Sequence, residues 1–142
     1  MNSQENNKAV VEKFFTSLGK KEHSKYSDTY FHKEHKFHFP FFPEPLNVEA
    51  HKKMDEDFIN GFPDAKIVVA DLFATNDKVV LRASFTGTHK EEFNKIPPTG
   101  KRIDLPFIAI VKFKDGKNIE EWVEMDTIKM MKQLDVMTEQ AS

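Results

Sequence analysis

The residues best suited to acid/base chemistry lie near the end of the chain. Trp122, Glu124 and Asp126 alternate along a strand-like segment and therefore share one face of it. A carboxylate in an apolar cavity has a raised pKa and becomes a base strong enough to take a proton from an acidic carbon. Because Asp126 also precedes a predicted helix, its residue type equally favours a helix N-cap. The geometry of the cavity decides between these two interpretations.

Three histidines, His32, His35 and His38, recur at a spacing of three. On a strand this spacing distributes the side chains over both faces, so no metal site is predicted. His38 is flanked by Phe37 and Phe39, and its imidazole either points into an aromatic pocket or packs in an ordinary core. Both interpretations stay open.

Arg82 lies in an otherwise apolar segment. An unpaired buried guanidinium is costly, so we expect it to reach solvent, to pair with a carboxylate, or to meet an anionic ligand. The sequence has no glycine-rich phosphate loop, no nucleophile elbow and no cysteine. These observations argue against nucleotide cofactors, acyl-enzyme chemistry, zinc ribbons and iron–sulfur clusters, and we expect no cofactor and no metal.

The chain has 142 residues, which predicts one domain over residues 1–142. Its formal charge of −2 gives no indication of a nucleic-acid or anionic-membrane partner. The first residues lack the regions of a signal peptide, and no apolar run is long enough to span a membrane, so we expect a cytoplasmic protein. Phenylalanine is in excess, with 14 residues beside 2 Tyr and 1 Trp. Part of this excess is expected to form the wall of a pocket.

Hydrophobic periodicity predicts helices in the first half of the chain and strands in the second. The predicted helices cover a segment ending at Gly19, residues 22–30, residues 48–61 and Thr127 to about Met137; the strands cover 66–74, 78–89, 102–114 and 117–126, with a short strand and covering loop at 37–43. In the third helix the predicted buried stripe is Val48, His51, Met54 or Asp55, and Phe58. The strand at 102–114 is apolar on both faces between Leu105 and Val111, which predicts burial on both sides. Short turns make neighbouring strands antiparallel, so the fold class is α+β.

A set of landmarks in this order and spacing resembles the SnoaL-like polyketide cyclase family. They are Phe62-Pro63-Asp64, Arg82, Thr86-Gly87-Thr88-His89, Ile96-Pro97-Pro98-Thr99-Gly100-Lys101, Asp115-Gly116-Lys117 and Glu121-Trp122 with Asp126. The resemblance implies the cone of the nuclear transport factor 2-like superfamily. In that fold, N-terminal helices pack on a curved, mostly antiparallel sheet that encloses a pocket.

The resemblance also implies a reaction, an intramolecular aldol condensation without metal or organic cofactor. Asp126 matches the family's acid/base aspartate, and His89 and His38 match histidines expected to face the pocket. Trp122, Arg82, Glu124 and Phe39 are the expected substrate-binding residues. The predicted ligand is a small apolar carbonyl compound, and the predicted assembly is a homodimer. The alternative is a non-catalytic module for small-molecule binding or dimerisation, in which Asp126 is only a cap.

Overall fold

The computed structural model describes residues 3–136. This part of the chain contains four helices and five strands, joined by loops. The helices are α1 (Ser3–Thr16), α2 (His23–Tyr30), α3 (Val48–Gly61) and α4 (Thr127–Gln133). The strands are β1 (Phe31–His38), β2 (Lys66–Thr75), β3 (Lys78–Thr88), β4 (Arg102–Lys114) and β5 (Lys117–Met125). The predicted end of the last helix at Met137 lies outside the described residues. None of these four helices is both long enough and apolar enough to cross a membrane.

The strands form one sheet in the order β1-β5-β4-β3-β2. Strands β2 to β5 are antiparallel neighbours, as predicted, and Asn76 and Asp115 take the positive φ that their hairpin turns require. Strand β1 differs from the prediction because it begins at Phe31 and pairs parallel with β5. Its hydrogen bonds come from β5, far away in sequence, and it ends before Pro40, which has no N–H to donate.

One face of the sheet carries the core and the other is open. In β4, Leu105 and Phe107 are buried, whereas Pro106 is exposed and Ile108 is 45% exposed. The expectation that this strand is buried on both sides is therefore wrong. The helices α1 and α3 cover only the inner face of the sheet.

Helix α3 brings polar side chains to the core. Asn47 caps its first turn by accepting a hydrogen bond from the Ala50 backbone N–H at 2.9 Å. The buried stripe contains His51 and, one turn later, Asp55 faces the same region, because residues four apart share a helix face. The cap fixes where the helix begins, and the packing of the buried stripe turns both groups toward the sheet.

Candidate active site

An apolar cavity of about 60 Å³ lies between the helices and the inner face of the sheet. Half of the 14 phenylalanines of the chain line it. They are Phe14, Phe15, Phe37, Phe39, Phe58, Phe85 and Phe107. The expectation that part of the phenylalanine excess forms a pocket wall is confirmed.

Three titratable side chains reach into this cavity: His51 and Asp55 from α3, and Glu121 from β5. Glu121 is 1% exposed, and the Asp55 side chain is 19% exposed. The remaining lining residues are apolar. A site with a few converging polar groups in an aromatic wall has the composition of a small-molecule binding pocket.

Burial changes the acidity of both carboxyl groups. Burial raises the pKa of Asp55 to about 8, and burial together with the negative charge of Asp55 raises the pKa of Glu121 to about 8. The Asn118 side-chain N–H donates to Glu121 Oε1 at 2.9 Å and acts in the opposite direction. At a pH close to 8 the pair can therefore offer a carboxyl group and a carboxylate in the same cavity.

A pair of buried histidines, His35 and His51, lies beside the carboxyl groups. His35 Nε2 lies 2.8 Å from His51 Nδ1, and His35 Nδ1 lies 3.1 Å from the Asn118 carbonyl oxygen. Burial lowers the pKa of His35 to about 4 and the pKa of His51 well below its ordinary value. His51 also stacks on Phe37 at 3.6 Å between ring centres. Both imidazoles are therefore neutral at physiological pH.

Asp55 and Leu18 lie at the boundary between the cavity and the surface. Both also line a groove of about 480 Å³ between α3 and the segment that joins α1 to α2. The groove and the cavity therefore adjoin at these two side chains.

The structure places Asp126 outside the cavity. Asp126 is exposed, and its Oδ1 accepts a hydrogen bond from the Lys129 backbone N–H at 2.9 Å, so the interpretation as the N-cap of α4 is confirmed. The expectation that it lies in an apolar cavity is wrong, because the inner face of β5 carries Glu121, Val123 and Met125 instead.

Two more predicted site residues form ion pairs on the outer face. Arg82 Nε lies 2.6 Å from Asp71 Oδ2, which confirms the expectation of a carboxylate partner. His38 Nε2 lies 2.7 Å from Glu120 Oε2, and the His38 ring stacks on Trp122 at 5.4 Å. Arg82 does line a shallow outer groove together with Glu124 and Asp126. Arg82, Glu124 and Asp126 therefore border one groove, which lies outside the aromatic cavity.

His89 and Phe39 complete the predicted set. His89 is fully buried, and its Nδ1 accepts a hydrogen bond from the Thr99 backbone N–H at 3.2 Å. It thereby ties the loop before β4 to the end of β3 and does not line the cavity. Among the predicted site residues, Phe39 is the one that lines it.

The three histidines with a spacing of three diverge, as the strand geometry predicts. His35 enters the core, His38 faces outward, and His32 Nδ1 accepts from the Glu34 backbone N–H at 3.0 Å. Across residues 3–136, no three potential metal-ligating side chains come together.

Sequence reasoning did not assign Asp55, Glu121 and His51 to the site. The available signal was a polar residue at a position where the pattern demands an apolar one. His51 and Asp55 fall on the predicted buried stripe of α3, and Glu121 shares a strand face with Val123 and Met125. A titratable side chain at a buried position is costly, and functional sites are places where such side chains are found.

The comparisons with known proteins agree on the fold. A family model described as SnoaL-like polyketide cyclase matches residues 9–134. A structure from Jannaschia sp. CCS1, named as a SnoaL-like polyketide cyclase, has a TM-score of 0.85 at 20% identity over 97% of both chains. AclR from Streptomyces galilaeus, provisionally named a hydroxylase, has a TM-score of 0.83 at 22% identity over 95% of this chain and 99% of its own.

A structure from Acidithiobacillus ferrooxidans, named as a polyketide cyclase, has a TM-score of 0.77 at 26% identity over 100% of both chains. No functionally curated protein matches the chain. Names of both a cyclase and a hydroxylase occur among these similar structures, so the fold does not define the reaction.

Proposed function

The chain belongs to the SnoaL-like polyketide cyclase family, and from this premise we propose that it is a cofactor-independent acid/base enzyme acting on a small apolar carbonyl compound. The reaction is an aldol cyclisation or a related isomerisation. The observation that supports this proposal is the pair of Asp55 and Glu121 in an aromatic cavity. Burial gives both carboxyl groups a pKa of about 8, which suits proton transfer near neutral pH.

The two carboxyl groups can donate and accept every proton that such a reaction transfers. The carboxylate takes a proton from a carbon between carbonyl groups, and the carboxyl group gives its proton to the carbonyl oxygen, which forms an enol. In the cyclisation, the enol carbon bonds to a second carbonyl carbon. The enol proton then returns to the first donor, and the proton taken from carbon goes to the new alkoxide. Both carboxyl groups regain their starting states, and the aromatic wall holds the reacting atoms together.

The size of the cavity limits what it encloses. An apolar cavity of about 150 Å³ accepts benzene, and this one has about 60 Å³. It therefore encloses the reacting carbonyl part of a substrate. The remainder extends past Leu18 and Asp55 into the adjoining groove.

Proton exchange tests the proposal without knowledge of the natural substrate. The exchange of carbon-bound hydrogen for deuterium in a panel of β-dicarbonyl compounds is followed by NMR in D₂O. We expect the protein to accelerate exchange at least about 100-fold over buffer for some members of the panel. A protein that accelerates none of them contradicts the proposal.

The same assay tests the predicted role of Asp126. Asparagine is as good an N-cap as aspartate, so Asp126→Asn removes the carboxylate and keeps the cap. We expect the exchange rate to stay within two-fold of the wild type, because Asp126 lies outside the cavity. A ten-fold loss in the folded variant would return the acid/base role to Asp126.

The alternative function, a binding or dimerisation module, has its own support in the outer face of the sheet. Ile108 is 45% exposed there, beside exposed Pro106 and half-buried Ile110 and Trp122. A second copy of this chain is the partner we propose for this face, and light scattering should give a dimer that Ile108→Lys converts to a monomer. A wild-type monomer at every concentration contradicts the dimer. Binding of dicarbonyl compounds without exchange favours the module over the enzyme.

A further inference from the structure

We propose that Asn118 divides the acid and base roles between the two cavity carboxyl groups, so that Asp55 holds the proton and Glu121 takes one. This inference deepens the proposed function and rests on it. Asn118 is fully buried in β5 and acts through two different atoms, its backbone carbonyl oxygen and its side-chain nitrogen. The carbonyl oxygen acts on Asp55 through the two histidines, and the side-chain nitrogen acts on Glu121 directly.

The backbone carbonyl of Asn118 fixes the tautomers of two histidines. A carbonyl oxygen only accepts, so His35 Nδ1, 3.1 Å away, carries the hydrogen. In a neutral imidazole the other nitrogen is then an acceptor, and His35 Nε2 accepts from His51 Nδ1 at 2.8 Å. His51 Nε2 is therefore left with a lone pair.

That lone pair faces Asp55. His51 Nε2 lies 3.6 Å from Asp55 Oδ2, close enough for a small side-chain movement to make a hydrogen bond. A protonated carboxyl group can donate to this nitrogen, whereas a carboxylate meets only another lone pair. The histidine chain therefore stabilises the acid form of Asp55.

The side chain of Asn118 acts in the opposite sense on Glu121. Its Nδ2–H donates to Glu121 Oε1 at 2.9 Å, and a hydrogen bond donated to a carboxyl oxygen is stronger when that group is ionised. Glu121 therefore has a donor that favours its base form, and Asp55 has an acceptor that favours its acid form. Two similar carboxyl groups are thereby assigned different roles.

Other charged and titratable groups around Asp55 also affect which carboxyl group holds the proton. Two negative charges in the cavity repel each other, which contributes to the raised pKa of Glu121, and Tyr30 in α2 is buried near both carboxyl groups. The positive groups lie in the adjoining groove, where solvent screens those that are exposed. They are the exposed Lys20 and Lys21 and the half-buried Lys52. His23 lines the same groove, and burial lowers its pKa. Two acidic residues, Asp28 and Glu56, also line it.

NMR of the free protein tests the assignment without any substrate. The ¹⁵N shifts of the imidazole nitrogens should show His35 and His51 as neutral Nδ1–H tautomers. The ¹³C shifts of the side-chain carboxyl groups should show that Glu121 ionises at a lower pH than Asp55. An Nε2–H tautomer at His51, or ionisation of Asp55 before Glu121, overturns the proposal.

Two variants at His35 separate the hydrogen-bond chain from simple packing. Glutamine keeps a donor for the Asn118 carbonyl and an acceptor for His51, so His35→Gln should preserve the order of ionisation. His35→Phe removes the acceptor, so His51 should switch to the Nε2–H tautomer, donate to Asp55 and shift the titration of Asp55 to lower pH. An unchanged Asp55 titration in folded His35→Phe overturns the proposal; if that variant does not fold, the wild-type order decides.

The outcome is separable from that of the proposed function. If the wild-type protein exchanges protons but Asp55 ionises first, the division of roles is wrong and the enzyme proposal stands. If the protein exchanges no protons on any dicarbonyl compound, the enzyme proposal fails whatever the order of ionisation.

Discussion

Replacement of Asp55 by asparagine is expected to lower the rate of proton exchange on dicarbonyl compounds at least about 100-fold, the usual contribution of a positioned acid/base group. The amide has nearly the shape of the carboxyl group but has no acidic proton to give. Because Asn Nδ2 can donate to His51 Nε2 after the same small side-chain movement that Asp55 needs, we expect the cavity and the fold to be retained. The measurement is the exchange rate from pH 6 to 9, with circular dichroism as the check on folding.

The matched control is Asp57→Asn. Asp57 lies on the same helix, forms an exposed ion pair with Lys53 and does not line the cavity. The same chemical change there should leave the exchange rate within two-fold of the wild type. If folded Asp55→Asn retains full activity, Asp55 is not an acid/base group of the reaction.

Replacement of Glu121 by glutamine is expected to stabilise the protein while it removes activity. Burial raises the pKa of Glu121 from 4.5 in the unfolded chain to about 8. The folded state then binds a proton that the unfolded state has lost, so this contribution to stability is complete below pH 4.5 and is lost as the pH rises to about 8. Glutamine is permanently neutral and can still accept from Asn118. The free energy of unfolding at pH 8 should therefore increase by a few kcal/mol, at about 1.4 kcal/mol for each unit of pKa shift.

The pH window follows from the other buried groups. The pKa of His35 is lowered from 6.5 to about 4, so its contribution to stability is complete above pH 6.5 and is lost as the pH falls toward 4. Between pH 4.5 and 6.5 the histidine and carboxyl effects oppose each other. Above pH 6.5 only the carboxyl effect is left, and wild-type stability should fall between pH 6.5 and 8.

Urea denaturation at pH 6.5, 7.25 and 8 measures this effect. Glu121→Gln should make the decline over this window shallower, and the part that remains comes from Asp55, whose pKa burial also raises to about 8. The matched control is Glu124→Gln, on the exposed face of the same strand, which should change the free energy of unfolding by no more than about 0.5 kcal/mol. Equal pH dependence of the wild type and Glu121→Gln would show that Glu121 is not held protonated in the core.

Caps, turn residues and hydrophobic periodicity predict most helices and strands close to their observed bounds. The cap at Asn47 and the end at Gly61 define α3 as predicted, and the turn residues define the antiparallel strands β2 to β5. The prediction for strand β1 starts too late in the chain, at residue 37 and not at Phe31. Its hydrogen bonds come from β5 and not from its sequence neighbours, so local sequence does not define its bounds. The sequence pattern likewise could not show that β4 has one open face, because its continuous apolar run between Leu105 and Val111 does not say whether a second layer covers the outer side.

The sequence by itself determined the family, the helix and strand order and the abundance of aromatic side chains for a pocket wall, because these depend on residue types and short spacings. It also determined which residues share a strand face, and so separated Glu121 from Asp126. Only the tertiary structure decided which of the two faces is inside, because that depends on where α1 and α3 pack. Because the inner face is the one that carries Glu121, the acid/base site we propose consists of Asp55 and Glu121 in place of exposed Asp126; these two groups lie 66 positions apart in the chain and meet only in the folded cavity.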